Sequence, residues 1–281
     1  MLNNIGLVVH PKRPEALIVA TELEEWGLEH KVGVKHLFEP RDSQGLDLVV
    51  SLGGDGTMLR AIDLSLLHQV PVMGVNFGHL GYLTETEPDE LIPSLERFFK
   101  GDYEIEERMT LDIRVHKSSP GPANRFVAVN ELVVEKSHSG HVVKLAVSIG
   151  GSHFLNYEAD GLIVATPTGS TAYSFSSRGP VVSPMLEAML LTPISPHMLF
   201  DRVMVLAPFE QVTIRVLDGP KATLMVDGLN KEILAIGESV TVGSSLLNAR
   251  LAKFAERDFR NILKAKFGLN PLSPTDLSSG D

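Results

Sequence analysis

One acidic residue, Asp55, lies in a glycine-rich segment where its carboxylate could act on a bound phosphate. The segment runs from Gly53 to Thr57, reads GGDGT, and follows an apolar run that predicts a buried strand over Asp47–Leu52. The residues after it predict a helix over Gly56–Leu67. A strand that leads through glycines into a helix N-terminus presents backbone N–H groups to phosphate oxygens. Because an aspartate there repels such a ligand, we interpret Asp55 as a group that does chemistry or organises a metal.

A polar pair, Asn130-Glu131, interrupts the apolar strand predicted over Phe126–Lys136. Burying such a pair costs free energy unless both side chains find partners. The pair could hydrogen-bond the base or ribose of a ligand, or it could mark an edge-strand bulge. Both interpretations remain open at this point.

A second hydroxyl-rich segment follows the strand predicted over Gly161–Thr166. It starts at Pro167, reads PTGSTAYSFS and includes a short helical run, so it could form a cradle for a polar ligand or simply cap a helix. Asp160, just before the strand, could neutralise a positive group such as a nicotinamide or hold a ribose hydroxyl.

Two basic residues are weaker candidates. Arg60 follows the glycine loop by one helical turn and could reach a phosphate or be solvated, and His141 lies in a segment typical of a hairpin turn. The chain has no HExxH, GxSxG or GxxxxGK[ST] pattern, so neither a zinc protease, an α/β-hydrolase nor a P-loop kinase is indicated.

The elements that must position these residues fall into two groups. Residues 1–101 alternate strand and helix signals, which predicts an α/β domain with a Rossmann-like parallel sheet. Residues 102–254 show period-two patterns with frequent turns, which predicts an antiparallel β sandwich. Helical spacing within residues 255–269 predicts a C-terminal helix that packs back on the first domain, and residues 270–281 predict a disordered tail.

Composition excludes several classes of function. The 281 residues carry a formal net charge of −10, which argues against a nucleic-acid or acidic-membrane partner. There is no cysteine, so disulfides and thiol catalysis are excluded. We find no signal-peptide pattern and no apolar run long enough to span a bilayer, and we expect a cytoplasmic protein.

The motifs together resemble those of one family. GGDGT alone resembles a broad group of NAD, lipid and sugar kinases, but GVNFGHLGYL (Gly74–Leu83), Asn130-Glu131 and DGLIVATPTGSTAYS (Asp160–Ser174) are similar to the further motifs of NAD kinases, in the same order. The resemblance covers residues 3–268. It implies ATP-dependent phosphorylation of the 2′-hydroxyl of the adenosine ribose of NAD, a divalent metal, normally Mg²⁺, and a homodimer or homotetramer. Some family members also use polyphosphate.

The resemblance assigns roles by position. It implies that Asp55 is the general base that accepts the proton of the 2′-hydroxyl. It implies binding of substrate or nucleotide by Gly53, Gly54, Gly56, Thr57, Arg60, Asn130, Glu131, His141, Asp160, Thr171, Ala172, Tyr173, Ser174, Phe175 and Ser176, and it identifies no metal ligand.

This chain departs from the family pattern at two positions. Arg178 stands where a small residue is usual, and Leu229 replaces the amide of a DGQ motif. Two alternatives to an NAD kinase are a lipid- or sugar-type kinase that shares the glycine loop and a non-catalytic dinucleotide sensor. A lipid- or sugar-type kinase would not explain the motif Asp160–Ser174, and a non-catalytic sensor would not need an acid at Asp55.

Overall fold

A computed structural model of the chain describes residues 3–78, 81–119, 123–138, 140–255 and 258–269. The tail predicted over 270–281 therefore lies outside the described residues, as do residues 256 and 257 at the start of the predicted C-terminal helix. The chain divides into two compact units, one of residues 1–106 and 250–281 and one of residues 107–249.

Strands and helices alternate through most of the first unit, and the second unit consists mainly of strands. The first unit begins with β1 (Asn4–Val9), α1 (Pro14–His30), β2 (Gly33–His36), β3 (Leu48–Gly53), α2 (Asp55–Ser65), β4 (Val72–Asn76), α3 (Leu91–Phe99) and β5 (Glu104–Arg108). The second unit contains β6 (Leu111–His116), β7 (Arg125–Ala128), β8 (Glu131–Lys136), β9 (Val143–Ile149), β10 (Ser152–Ala159), β11 (Gly161–Ala165), α4 (Tyr173–Ser176), β12 (Met189–Ile194), β13 (Met204–Leu206), β14 (Val212–Asp218), β15 (Ala222–Val226), β16 (Leu229–Leu234) and β17 (Ser239–Ser244). The chain then returns to the first unit through β18 (Ala249–Lys253) and α5 (Phe259–Phe267).

The first unit is an α/β fold around one six-stranded sheet, in the order β2-β1-β3-β4-β18-β5. The pairs from β2 to β18 are parallel, which confirms the predicted parallel sheet. All six residues of β3 are buried, as expected when both faces of a parallel sheet are covered. Parallel strands bring their carboxyl ends to one edge, and the glycine loop follows β3 at that edge.

The second unit is the predicted β sandwich. Its two six-stranded antiparallel sheets have the orders β10-β9-β14-β17-β6-β7 and β13-β12-β11-β8-β15-β16. Residues from both sheets share one buried core, which includes Leu111, Val147, Leu162 and Leu224. Buried and outward residues alternate along β6 and β14, in agreement with the period-two pattern.

Helix α5 lies against the first unit, as predicted. Asp258 caps it by accepting a hydrogen bond from the backbone N–H of Arg260 at 2.9 Å. The ring of Phe259 lies 6.4 Å from the ring of Tyr82, and Nζ of Lys266 lies 4.4 Å from the centre of the same ring. In the part of the chain that the structure describes, no helix combines the length and apolar composition needed to cross a membrane.

Candidate active site

Two backbone N–H groups hold the Asp55 carboxylate in a fixed orientation. Gly54 is the extended N-cap of α2, and Asp55 is its first residue. Oδ2 of Asp55 accepts a hydrogen bond from the N–H of Tyr82 at 2.9 Å, and Oδ1 accepts one from the N–H of Leu83 at 3.0 Å. Each oxygen of a carboxylate can accept more than one hydrogen bond, so Asp55 keeps the capacity to accept a proton.

Gly81 allows this close approach. A Cβ at Gly81 would collide with the Asp55 carboxylate and with the hydroxyl of Thr84. The glycine-containing segment after β4 therefore serves as the second half of the Asp55 anchor.

A cavity of about 390 Å³ opens beside the glycine loop and is lined by basic side chains. Gly54, Gly56 and Thr57 line one side, and the others include His10, Arg13 and Arg60. Among the described residues, neither arginine has a carboxylate partner. Positive charge therefore adds to the helix N-terminus, which is the arrangement that binds phosphate groups.

Sequence reasoning singled out Arg60 in this cavity but missed His10 and Arg13. Both belong to the segment HPKRP that follows β1, whose carboxyl end lies at the same sheet edge as that of β3. A cluster of basic residues directly after a parallel strand was the available signal.

In the second unit, Asp227 organises the Asn130-Glu131 pair. Its carboxylate accepts hydrogen bonds from the backbone N–H groups of Val129, Asn130 and Glu131 at 2.9, 2.8 and 3.1 Å. Asp227 itself adopts a left-handed conformation, with φ 47°, before Gly228 in the turn between β15 and β16. Three N–H groups converging on one carboxylate fix the backbone of this segment.

Glu131 is a buried acid with unusual chemistry. Only 5% of the residue is exposed, and its Oε2 has no hydrogen-bond partner among the described residues. Burial, reinforced by the nearby Asp227 charge and partly opposed by the backbone N–H of Tyr173, raises the pKa of Glu131 to about 8. At neutral pH the carboxyl is therefore mostly protonated and can donate as well as accept a hydrogen bond.

The segment after β11 lies directly beside Asn130. The N–H of Thr166 donates to the carbonyl of Asn130 at 2.9 Å, and the Thr166 hydroxyl donates to the carbonyl of Val129 at 2.6 Å. A Cβ at Gly169 would collide with the Asn130 carbonyl, so a glycine is needed there. The structure thus brings together the two polar segments that the sequence singled out.

Asp160 forms an ion pair with Lys136, whose Nζ lies 2.5 Å from its Oδ1. Because Lys136 already offsets the charge of Asp160, the geometry favours the interpretation that Asp160 accepts a ligand hydroxyl over neutralisation of a positive ligand. Nearby, the hydroxyl of Tyr173 lies 3.5 Å from Glu135. The pKa of Tyr173 is raised, mainly because the side chain is partly buried and secondly because the Glu135 charge is close.

The other predicted residues are placed in different environments. Ser174 is buried and its hydroxyl shares a hydrogen bond with Thr192 at 2.9 Å, which indicates a structural role. Phe175 and Ser176 are exposed, while Thr171 and Ala172 are half-buried. His141 is exposed in the connection between β8 and β9.

An α/β unit with a basic cavity at its glycine loop, followed by a β unit with two adjoining polar segments, is an arrangement typical of nucleotide-binding phosphotransferases. Residues 29–103 match the family model of the ATP-NAD kinase N-terminal domain, and residues 129–254 match that of the C-terminal domain. The NAD kinase of Heliobacterium modesticaldum is 41% identical over 276 residues, covering 93% of this chain and 97% of that protein. The NAD kinase of Magnetococcus marinus is 35% identical and covers 94% and 93% of the two chains. The chain belongs to the NAD kinase family.

Solved structures are similar over nearly the whole chain. Yeast NADH kinase complexed with NADH has a TM-score of 0.85 and 25% identity, covering 97% of this chain and 90% of that one. An NAD kinase from Archaeoglobus fulgidus in complex with ATP has a TM-score of 0.73 and 26% identity, covering 94% and 97%.

The family resemblance implies a divalent metal. Across the described residues, no three histidines or carboxylates converge to hold a metal ion. The side chains of the described residues therefore do not form a three-ligand metal site of their own.

Proposed function

We propose that the protein transfers the terminal phosphoryl group of ATP to the 2′-hydroxyl of the adenosine ribose of NAD, giving NADP and ADP. The ribose oxygen forms the new bond to phosphorus, and the bond between that phosphorus and the ADP oxygen breaks. The hydroxyl proton passes to the Asp55 carboxylate. The observation that carries the proposal is an anchored Asp55 carboxylate in a glycine loop whose Gly54, Gly56 and Thr57 line a basic cavity.

The glycine-loop cavity is the proposed site for the donor phosphates. Its loop N–H groups and the charges of Arg13 and Arg60 match a polyanion. Inorganic polyphosphate has the same chemistry, so we propose that it can serve as a second donor. We place Mg²⁺ on the donor phosphates and water.

The second unit supplies the proposed contacts to the dinucleotide. Asn130 and protonated Glu131 offer donors and acceptors to the ribose, and Asp160 offers an acceptor to a hydroxyl. Tyr173 supplies an aromatic face, and Ser176 an exposed hydroxyl. We further propose that the protein acts in the cytoplasm as a homodimer or homotetramer.

The test is NADP formation by the purified protein and by its Asp55→Asn variant, with NAD, Mg²⁺ and either ATP or polyphosphate. Loss of a general base predicts a fall in kcat of about 10²- to 10⁴-fold, with the Kd for NAD kept within about 3-fold. Turnover in the variant at the level of the unmodified protein would refute the role of Asp55. If the unmodified protein binds NAD and makes no NADP, it is a sensor, and phosphorylation of a lipid or sugar instead would identify the other alternative.

Asp42→Asn is the matched control. The Asp42 carboxylate also accepts two backbone N–H groups, from Phe38 and Glu39, both at 2.9 Å. It therefore reports the structural cost of exchanging such a carboxylate for an amide, and we expect its kcat to be unchanged.

A further inference from the structure

A second cavity, of about 500 Å³, lies wholly within the second unit. It is bounded by α4 and the residues that follow it, and by the segment from Pro193 to Val203 between β12 and β13. Its lining includes the hydroxyl-bearing side chains of Tyr173, Ser176 and Ser195. The cavity is therefore large enough for a phosphorylated ligand and lined with hydrogen-bond donors.

Two residues that line this cavity have strained backbones. Arg178 has φ 67° and Ser195 has φ 43°, in the left-handed region that favours glycine. Such conformations are more common at ligand sites than elsewhere, because the surrounding structure must hold them in place. Glycine would be unstrained at position 178, so we interpret the arginine there as a residue whose side chain contributes to binding.

The charge of the cavity is positive. Asp201 is the only acid among the described residues that line it, and Nε of Arg202 lies 3.4 Å from its Oδ1. Within the described part of the chain, Arg178 has no carboxylate partner. One cation is therefore left to meet an anionic ligand.

We propose that this cavity binds a phosphate or diphosphate anion and that the guanidinium of Arg178 is its anchor. Guanidinium is planar and presents paired N–H donors that match phosphate oxygens. The anion site follows from the geometry of the cavity. Its assignment to the dinucleotide rests on the proposed function, because Tyr173 and Ser176 belong to the segment that would hold NAD.

The primary test is calorimetric titration of the full chain with sodium pyrophosphate at constant ionic strength. Arg178→Gly removes the guanidinium and relieves the strained backbone. We expect the Kd for pyrophosphate to rise by about 10- to 100-fold and the Tm to rise by about 2–4 °C. Because pyrophosphate also fits the glycine-loop cavity, the titrations are made in an Arg13→Ala background, which removes one cation from that cavity.

Lys31→Gly is the matched control, because Lys31 has φ 58° at the C-cap of α1 and the change also removes one positive charge. We expect it to raise the Tm without changing the Kd. An Arg178→Gly variant that binds pyrophosphate within about 3-fold of its parent, or a parent without saturable binding, would overturn the proposal.

Parallel titrations with NAD and NADP identify the source of the phosphate. If Arg178→Gly weakens the binding of NAD and of NADP equally, the site holds the diphosphate. If it weakens the binding of NADP alone, the site holds the 2′-phosphate. If NAD fails to bind while pyrophosphate binding still depends on Arg178, the anion site stands and the proposed function fails. If NAD is turned over while Arg178→Gly changes no affinity, the proposed function stands and the anion site fails.

Discussion

Replacing Glu131 by glutamine should make the protein more stable, and increasingly so as the pH rises. The pKa of Glu131 is raised from 4.5 to about 8 in the folded protein, chiefly by burial. The unfolded chain therefore releases this proton at a lower pH than the folded protein does. At 1.36 kcal/mol per pH unit, the difference corresponds to about 5 kcal/mol.

The direction of the change in the free energy of unfolding depends on whether the folded or the unfolded state holds the Glu131 proton. Below pH 4.5 both states are protonated and Glu131 carries no penalty. Between pH 4.5 and about 8 the unfolded state alone ionises, so the free energy of unfolding falls as the pH rises. The penalty is about 3 kcal/mol at pH 7 and reaches its full value of about 5 kcal/mol above pH 8. Glutamine is nearly isosteric and does not ionise, so Glu131→Gln removes this dependence.

The assay is urea unfolding at several pH values between 5 and 8.5, without ligand. The single tryptophan, Trp26, lies in the first unit, so unfolding of the second unit is followed by circular dichroism. Hydrogen exchange at Val129, Asn130 and Glu131, whose N–H groups bond to Asp227, gives an independent local measure. Glu22→Gln, at an exposed position of α1, is the control for other titrating groups. Parallel pH profiles for the unmodified protein and Glu131→Gln would refute the reasoning.

Three further substitutions test separate features. Arg13→Ala removes a cation from the glycine-loop cavity, so it should raise the KM for ATP by about 10-fold and leave the KM for NAD unchanged. The KM for ATP should also depend less on salt concentration in this variant, which steady-state kinetics at two ionic strengths would detect. Gly81→Ala should displace the Asp55 carboxylate and lower kcat by about 100-fold, together with a lower Tm; activity and Tm at the level of the unmodified protein would contradict the close approach. Tyr157→Phe should leave the Tm unchanged or raise it, because the buried hydroxyl has no hydrogen-bond partner in the part of the chain that the structure describes; a clear fall in Tm would show that the hydroxyl is satisfied.

Local patterns were sufficient for most of the fold. The alternation of apolar runs and glycine turns predicted the parallel sheet, and period-two spacing predicted the sandwich. What they could not show is that β18 leaves the β unit and pairs with β4, through Leu251 opposite Val72. An apolar strand of five residues has the same pattern in either sheet, so its partner is decided by packing.

The candidate site also has a part that local sequence patterns predicted and a part that they could not predict. The glycine loop and the segment after β11 were visible because each combines a strand, a turn and polar residues within about ten positions. Arg13 and Asp227 act on residues that are distant in sequence, as Asp227 is 97 positions from Asn130. No pattern within one segment reports such a contact.

Asp55 and Asp227 share a structural duty that affects how their variants must be interpreted. Each carboxylate accepts backbone N–H groups from a segment that carries one of the motifs found in the sequence, Gly74–Leu83 for Asp55 and Asn130-Glu131 for Asp227. An amide replacement turns one oxygen into a donor, which then faces a backbone N–H and leaves it unsatisfied, at a cost of about 1–3 kcal/mol. A fall in turnover in Asp55→Asn therefore combines loss of the base with disturbance of Tyr82 and Leu83. The contribution of proton transfer is the part of the kcat loss that exceeds the effect of disturbing this loop. NAD affinity and Tm, measured on the same sample, report that disturbance.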